Sequence, residues 1–185
     1  MRAAVLHGYD EELRVESIPP PEIQSPGDVI VRIGGAGLCR TDLHIIEGVW
    51  KNKVDVELPY VLGHENAGWV EAVGDGVRSI RPGDAVIVHP VITCGLCRAC
   101  RAGEDMHCID LAFPGITQNG GFAEYLRTGE RAIIPLPEGL EPKQIAPYAD
   151  AGITAYRAAK RAARRPVQNW ALDSRLTRTE REIRR

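Results

Sequence analysis

The chain has 185 residues, 44% of them hydrophobic, and a formal net charge of -2, which fits one globular domain long enough to bury a core. That near-neutral balance excludes a broad electrostatic case for nucleic acid or an anionic membrane. No uninterrupted apolar run approaches a membrane span and residues 1–15 carry no apolar secretion segment, so a soluble, cytoplasmic protein is expected, with no nucleic-acid or membrane partner and an oligomeric state left open.

From the N-terminus to about Pro137, short β-branched or alternating runs separated by Gly and Pro recur at 29–33, 69–73, 85–89, 122–126 and 132–136. This pattern predicts a compact, mostly antiparallel β-barrel or sandwich. Gly74-Asp75-Gly76 and Gly83-Asp84 stand where tight turns belong. Helical signals appear only near the end: a short helix over 142–148, then an Ala-rich one over 151–164 with Asp150 placed as an N-cap. Pro166 stops that helix. Beyond it, apolar residues thin to Trp170, Leu172, Leu176 and Ile183 among arginines whose charge Asp173, Glu180 and Glu182 dilute, so 167–185 reads as a solvated, weakly helical tail and not as a nucleic-acid arm.

Cys94, Cys97, Cys100 and Cys108 place four thiols within fifteen residues, in a stretch punctuated by Gly95 and Gly103. Such short gaps let the backbone curl around one tetrahedral ion, for which zinc is the natural choice. A four-thiolate shell leaves no position for water or substrate, so the cluster should hold a lobe of about 92–112 in shape and perform no catalysis. Two other readings share the spacing. A ferredoxin-type cluster closes with a nearby cysteine followed by proline, whereas Cys108 comes later and precedes Ile109. Disulfides need an oxidising compartment, for which no secretion segment speaks. With five cysteines in all, Cys39 is left over.

Cys39 is followed by Thr41, Asp42 and His44, and farther on comes Gly63-His64-Glu65-Asn66-Ala67-Gly68. A catalytic zinc takes three protein ligands of mixed N, S or O type and keeps one position open. Cys39 and His64 would supply the sulfur and the nitrogen. Singly, a lone Cys is usually a small buried hydrophobe and a lone His a satisfied polar residue. Together, beside a closed cysteine cluster, they point to a second metal site.

The run Cys39-Arg40-Thr41-Asp42-Leu43-His44, then 63–68 continuing to Gly74 and Val77, then the four-cysteine lobe, resembles the catalytic domain of the zinc-dependent medium-chain alcohol dehydrogenases in order and spacing. The resemblance extends to about Arg165, so 1–165 is expected to form that domain and 166–185 an atypical tail. It implies a mainly β, GroES-like β-barrel with a few helices and a structural-zinc lobe, joined in the family to a Rossmann domain that binds NAD or NADP. It also implies reversible oxidation of a small alcohol to an aldehyde or ketone.

Carried over by that resemblance, Cys39 and His64 would be catalytic zinc ligands and Glu65 a neighbouring or exchangeable carboxylate. The third ligand falls at the start of the helix leading to the cofactor domain, here Asp150. A carboxylate is an acceptable zinc ligand and leaves the metal harder than a second thiolate would; helix capping explains the same residue equally well. Zinc would bind the alcohol oxygen and favour loss of its proton, so that hydride can leave for nicotinamide. Thr41 would accept that proton and pass it toward His44, in the family through the ribose of the bound cofactor. Trp50 is either a wall of the substrate pocket or ordinary core.

A strand, a G-x-G-x-x-G turn opening a helix and an acidic residue about twenty positions on would mark a dinucleotide site. The sequence contains no such run: Gly74-Asp75-Gly76 is followed by Val77-Arg78-Ser79, and no cofactor-binding residue is identifiable. The Rossmann domain is therefore expected to be absent and the chain inactive alone. The alternative is a truncated zinc-binding GroES-like module without turnover.

Overall fold

The structure, a computed structural model, describes residues 1–53 and 57–164. The tail expected over 166–185 lies outside the described residues. In chain order the elements are β1 (Arg2–Leu6), β2 (Arg14–Ser17), β3 (Asp28–Gly37), α1 (Arg40–Ile46), β4 (Tyr60–Val61), β5 (Glu65–Val73), β6 (Ala85–Val88), α2 (Arg98–Arg101), β7 (Tyr125–Gly129), β8 (Ile133–Pro135), α3 (Pro142–Ile145) and α4 (Ala151–Arg164). Met1–Ala151 is one compact unit and holds every candidate site residue; the second unit begins at Gly152, within α4. No described helix is long and apolar enough to cross a membrane.

Two antiparallel sheets carry the first unit, one of three strands in the order β2-β1-β4 and one of five in the order β7-β3-β5-β6-β8. The period of two decides which side chains turn inward: Val29 and Val31 are fully buried and Arg32 is exposed. Val31 stands opposite Val70 on β5 and Leu126 on β7, and Val86 and Val88 on β6 complete that core. A second core of Leu6, Ile45, Tyr60, Leu62 and Ile116 joins β1, α1 and β4. Leu6 and Leu62 have no exposed surface, so each contributes about 1.5–3 kcal/mol of apolar burial.

The mainly β architecture agrees with the sequence pattern, and the helix expected over 151–164 is α4. Three expectations need correction. Helices are not confined to the end: α1 and α2 form far earlier. α1 has only seven residues, with β-branched Thr41, Ile45 and Ile46, so propensity does not advertise it. Its stability comes from buried Ile45 and from Asp42, whose Oδ2 accepts the Cys39 N–H at 2.8 Å. The strand expected at 122–126 belongs to two ladders. Phe122 O accepts the Ala4 N–H and Ala3 bridges Ala123 in the first sheet, while pairing with β3 starts at Tyr125. The helix expected over 142–148 ends at Ile145 and continues as a 3-10 turn, Ala146–Ala149, because Pro147 has no N–H to extend the α ladder.

Candidate metal centres

Three separate segments meet at the first centre. Cys39 sits in extended backbone (φ -99°, ψ 157°) as the N-cap of α1, just ahead of the helix ladder. Gly63, with φ +96°, delivers His64 to the start of β5; a Cβ there would stand 2.5 Å from the Phe122 ring, so only glycine fits. His64 and Glu65 are both buried. Cys39 Sγ, a His64 ring nitrogen and a Glu65 carboxylate oxygen all lie within 4.8 Å of one another. Asp150, closing the 3-10 turn before α4, brings Oδ2 to 3.5 Å from His64 Nε2. Glu65 Oε1 accepts the Ala151 N–H at 2.9 Å, which ties that turn to β5.

Asp42 completes the arrangement, and sequence reasoning gave it no role. It is fully buried; one oxygen holds the Cys39 N–H and the other lies 3.3 Å from His64 Nδ1. The distance is that of an ion pair, short of hydrogen-bond geometry. One carboxylate thus orients the backbone of one candidate ligand and the ring of another. The available signal was its place three residues after Cys39, where an acidic side chain reaches back to a helix start. Burial opposes the imidazolium form of His64, but the Asp42 carboxylate and then Cys39 outweigh it and push the ring up to about 9. Phe113 packs edge-on against the same ring, with centroids 5.9 Å apart.

Among the described residues neither His64 ring nitrogen, both buried, has a hydrogen-bond partner, an arrangement that costs free energy unless another group engages them. A thiol, an imidazole and the Glu65 carboxylate lie together, with Asp150 Oδ2 beside the same ring, and this mixed sulfur, nitrogen and oxygen donor set fits zinc. Thr41 and His44 lie one turn apart on α1, both half-buried, and among the described residues no hydrogen bond joins them. His44 Nδ1 instead faces Glu47 Oε2 at 3.4 Å. Trp50 is half-buried and packs against the second core with Leu58 and Phe113.

At the second centre the sulfurs of Cys94, Cys97, Cys100 and Cys108 lie within 4.8 Å of one another. Gly95, at φ +71°, makes the turn between the first two. Backbone N–H groups point inward: those of Cys94 and Asp110 reach Cys108 Sγ and that of Cys97 reaches Cys94 Sγ, each at 3.4 Å. N–H groups of Cys100 and Ile109 lower the Cys97 thiol to about 6, and those of Leu96 and Cys97 lower Cys94. Burial pushes Cys100 up to about 12. Local amides therefore stabilise part of the thiolate charge, and a dication is needed to hold all four deprotonated together. Arg131 ties the lobe to the strand region through a 2.9 Å ion pair with Asp105.

A two-sheet β unit thus carries two clusters of metal-ligating side chains, one closed and all sulfur and one of mixed thiol, imidazole and carboxylate. Residues 25–138 match the alcohol dehydrogenase GroES-like domain. The chain is 40% identical over 161 residues to D-arabinose 1-dehydrogenase (NADP(+)) of Saccharolobus solfataricus, a match that covers 87% of this chain and 45% of that protein. Among solved structures, the alcohol dehydrogenase of Aeropyrum pernix superposes with a TM-score of 0.85 at 52% identity, over 89% of this chain and 49% of that one. The cobalt- and zinc-bound alcohol dehydrogenase of Pyrobaculum aerophilum gives 0.78 at 31% identity, over 88% and 48%. The chain belongs to the zinc-type medium-chain alcohol dehydrogenase family through its GroES-like domain. It spans about half the length of the relatives it matches.

Proposed function

We propose that this chain supplies the metal-site half of a zinc-dependent, NAD- or NADP-linked alcohol dehydrogenase acting on a small alcohol and the matching aldehyde or ketone. In this reading Cys39 and His64 hold the catalytic zinc, Asp150 supplies the third ligand, and Glu65 stands by as a carboxylate that can exchange with it. Cys94, Cys97, Cys100 and Cys108 hold the structural zinc. The observation that carries the reading is the buried His64 Nε2, without a hydrogen bond among the described residues and faced by Asp150 Oδ2 at 3.5 Å.

Bound zinc would act as a Lewis acid toward the substrate oxygen, and a nicotinamide would accept the hydride. The chain's own residues do the rest. Asp42 fixes the His64 ring and keeps Nε2 turned toward Cys39, Glu65 and Asp150. Thr41, at the first turn of α1, would take the alcohol proton at its hydroxyl. His44, one turn on and likewise half-buried, would release it, given a bridge between the two. Phe113 shields one edge of the ring from water.

Hydride transfer needs nicotinamide held in contact with the substrate, an orientation worth about 7–11 kcal/mol of barrier. The 185 residues contain no G-x-G-x-x-G turn to cradle its phosphates. The expected result is therefore zinc binding without alcohol oxidation by the chain alone, and turnover once a relative's Rossmann-domain fragment is added. Nicotinamide absorbance with primary and secondary alcohols measures both. Turnover by the chain alone would overturn the nucleotide part of the proposal.

A further inference from the structure

Arg131 belongs to the 3-10 turn Glu130–Ala132 between β7 and β8, outside the cysteine lobe, yet its side chain ends within that lobe. Its Nη2 donates to Asp105 Oδ1 at 2.9 Å, and its Nε comes to 3.5 Å from Thr93 Oγ1. The same side chain covers Gly95: a Cβ there would stand 2.9, 3.0 and 3.1 Å from Arg131 Cδ, Nε and Cζ. Both contacts lead to one sulfur. The Asp105 carboxylate hydrogen-bonds with the Cys100 thiol, and the Gly95 N–H reaches Cys100 as well. Among the described residues, no other ion pair joins the lobe to the rest of the chain.

These contacts set up a conflict of charge that a metal would sharpen. A metal-bound Cys100 is a thiolate with no proton to donate, so the Asp105 carboxylate beside it then faces negative charge. Four thiolates around one dication already leave an excess of that charge. A guanidinium keeps its proton at any ordinary pH, so Arg131 on the same carboxylate offsets the repulsion. We propose that Arg131 is a positioning residue for the lobe zinc: it neutralises Asp105 and packs over the Gly95 turn, so that Cys100 stays in the shell as a thiolate. This rests on the reading that the four cysteines hold a zinc. The side chains of Arg131 and Asp105 are 51% and 37% exposed, so water and salt screen the pair and its effect is graded.

The test is zinc retention. The full chain is loaded with zinc and challenged with excess chelator, and the ion with the all-sulfur shell is followed over time by X-ray absorption at the zinc edge. Arg131→Gln should lose that ion about tenfold faster than the parent, and Arg131→Lys, which keeps the charge, should recover most of the difference. Arg131→Gln combined with Asp105→Asn should return to the parent's rate, because without the carboxylate the guanidinium has nothing to offset; a mere strut between lobe and framework would gain nothing from the second change. Asp105→Asn alone should hold the ion at least as long as the parent, a comparison that stands even if Arg131→Gln fails to fold. Added salt should narrow the gap between Arg131→Gln and the parent. A parental rate in Arg131→Gln, a double variant as fast as Arg131→Gln, faster loss from Asp105→Asn, or a gap that salt leaves unchanged overturns the proposal and leaves the lobe zinc standing. A parent that holds no all-sulfur zinc overturns the proposal together with the metal reading beneath it.

Discussion

All four sulfurs of the lobe come from one fifteen-residue stretch, whereas Cys39, His64, Glu65 and Asp150 come from three segments that the β framework brings together. The lobe carries its own support, since backbone N–H groups of the same loop point at its sulfurs. The other centre depends on distant structure: Asp42 on α1 orients a ring at the start of β5, and Glu65 on β5 pins the amide of Ala151. A local cluster stabilises its own loop when metal binds, while a cluster assembled by the fold draws on stability already supplied by the cores. Removing a ligand should therefore cost folding at the lobe and metal affinity, with little folding, at the other centre.

The largest effect should follow loss of a lobe ligand. Cys97→Ser leaves three sulfurs and an incomplete shell, and should release one zinc per chain and lower stability by about 4 kcal/mol, or roughly 8–16 °C in melting temperature. Atomic absorption and a thermal melt read both; unchanged zinc and melting would erase the distinction between the two centres. Cys39→Ser should do the opposite, removing the other zinc while shifting stability by about 1 kcal/mol or less, because Cys39 is half-buried and its backbone contact with Asp42 remains. A finer probe is Asp42→Asn. The amide keeps the volume but loses the charge beside His64 Nδ1, so zinc affinity at that centre should fall about 10–100-fold in a competition titration with the lobe zinc unaffected.

The local half of this picture was legible in the sequence. Thiols three apart need only a curled loop to converge, so 94–108 could be read without knowing the fold. The strands at 29–33, 69–73 and 85–89 were legible too, because a half-buried sheet stamps a period of two on its residues. What escaped was long-range. α1 is too short and too β-branched to show a helical period, and its reason for existing is tertiary. Asp42 passed as one more polar residue because its ring partner is 22 positions away, at His64. The segment 122–129 could not reveal that its first half serves one sheet and its second half the other.

The smallest expected effect lies away from both centres. Glu130 accepts the Arg78 and Ser79 N–H groups at 2.7 Å and the Ser79 hydroxyl at 2.8 Å, which hold its carboxyl below the usual range, the Arg78 amide first. A depressed folded pKa contributes stability above the unfolded value, about 4.3, and that contribution fades as pH falls through the folded one. Glu130→Gln should therefore be less stable than the parent at neutral pH, with the gap narrowing in acid. A pH series of urea melts checks the sign, and a gap that widens in acid would contradict it.

The two-centre account is tested most directly by X-ray absorption at the zinc edge on the fully loaded chain and on Cys39→Ser. The account predicts two zinc ions in the parent with a mixed sulfur and nitrogen or oxygen shell, and one in the variant with sulfur alone at about 2.3 Å. One zinc in both proteins, with the same all-sulfur spectrum, would show that Cys39, His64 and Asp150 hold no metal and would contradict the account.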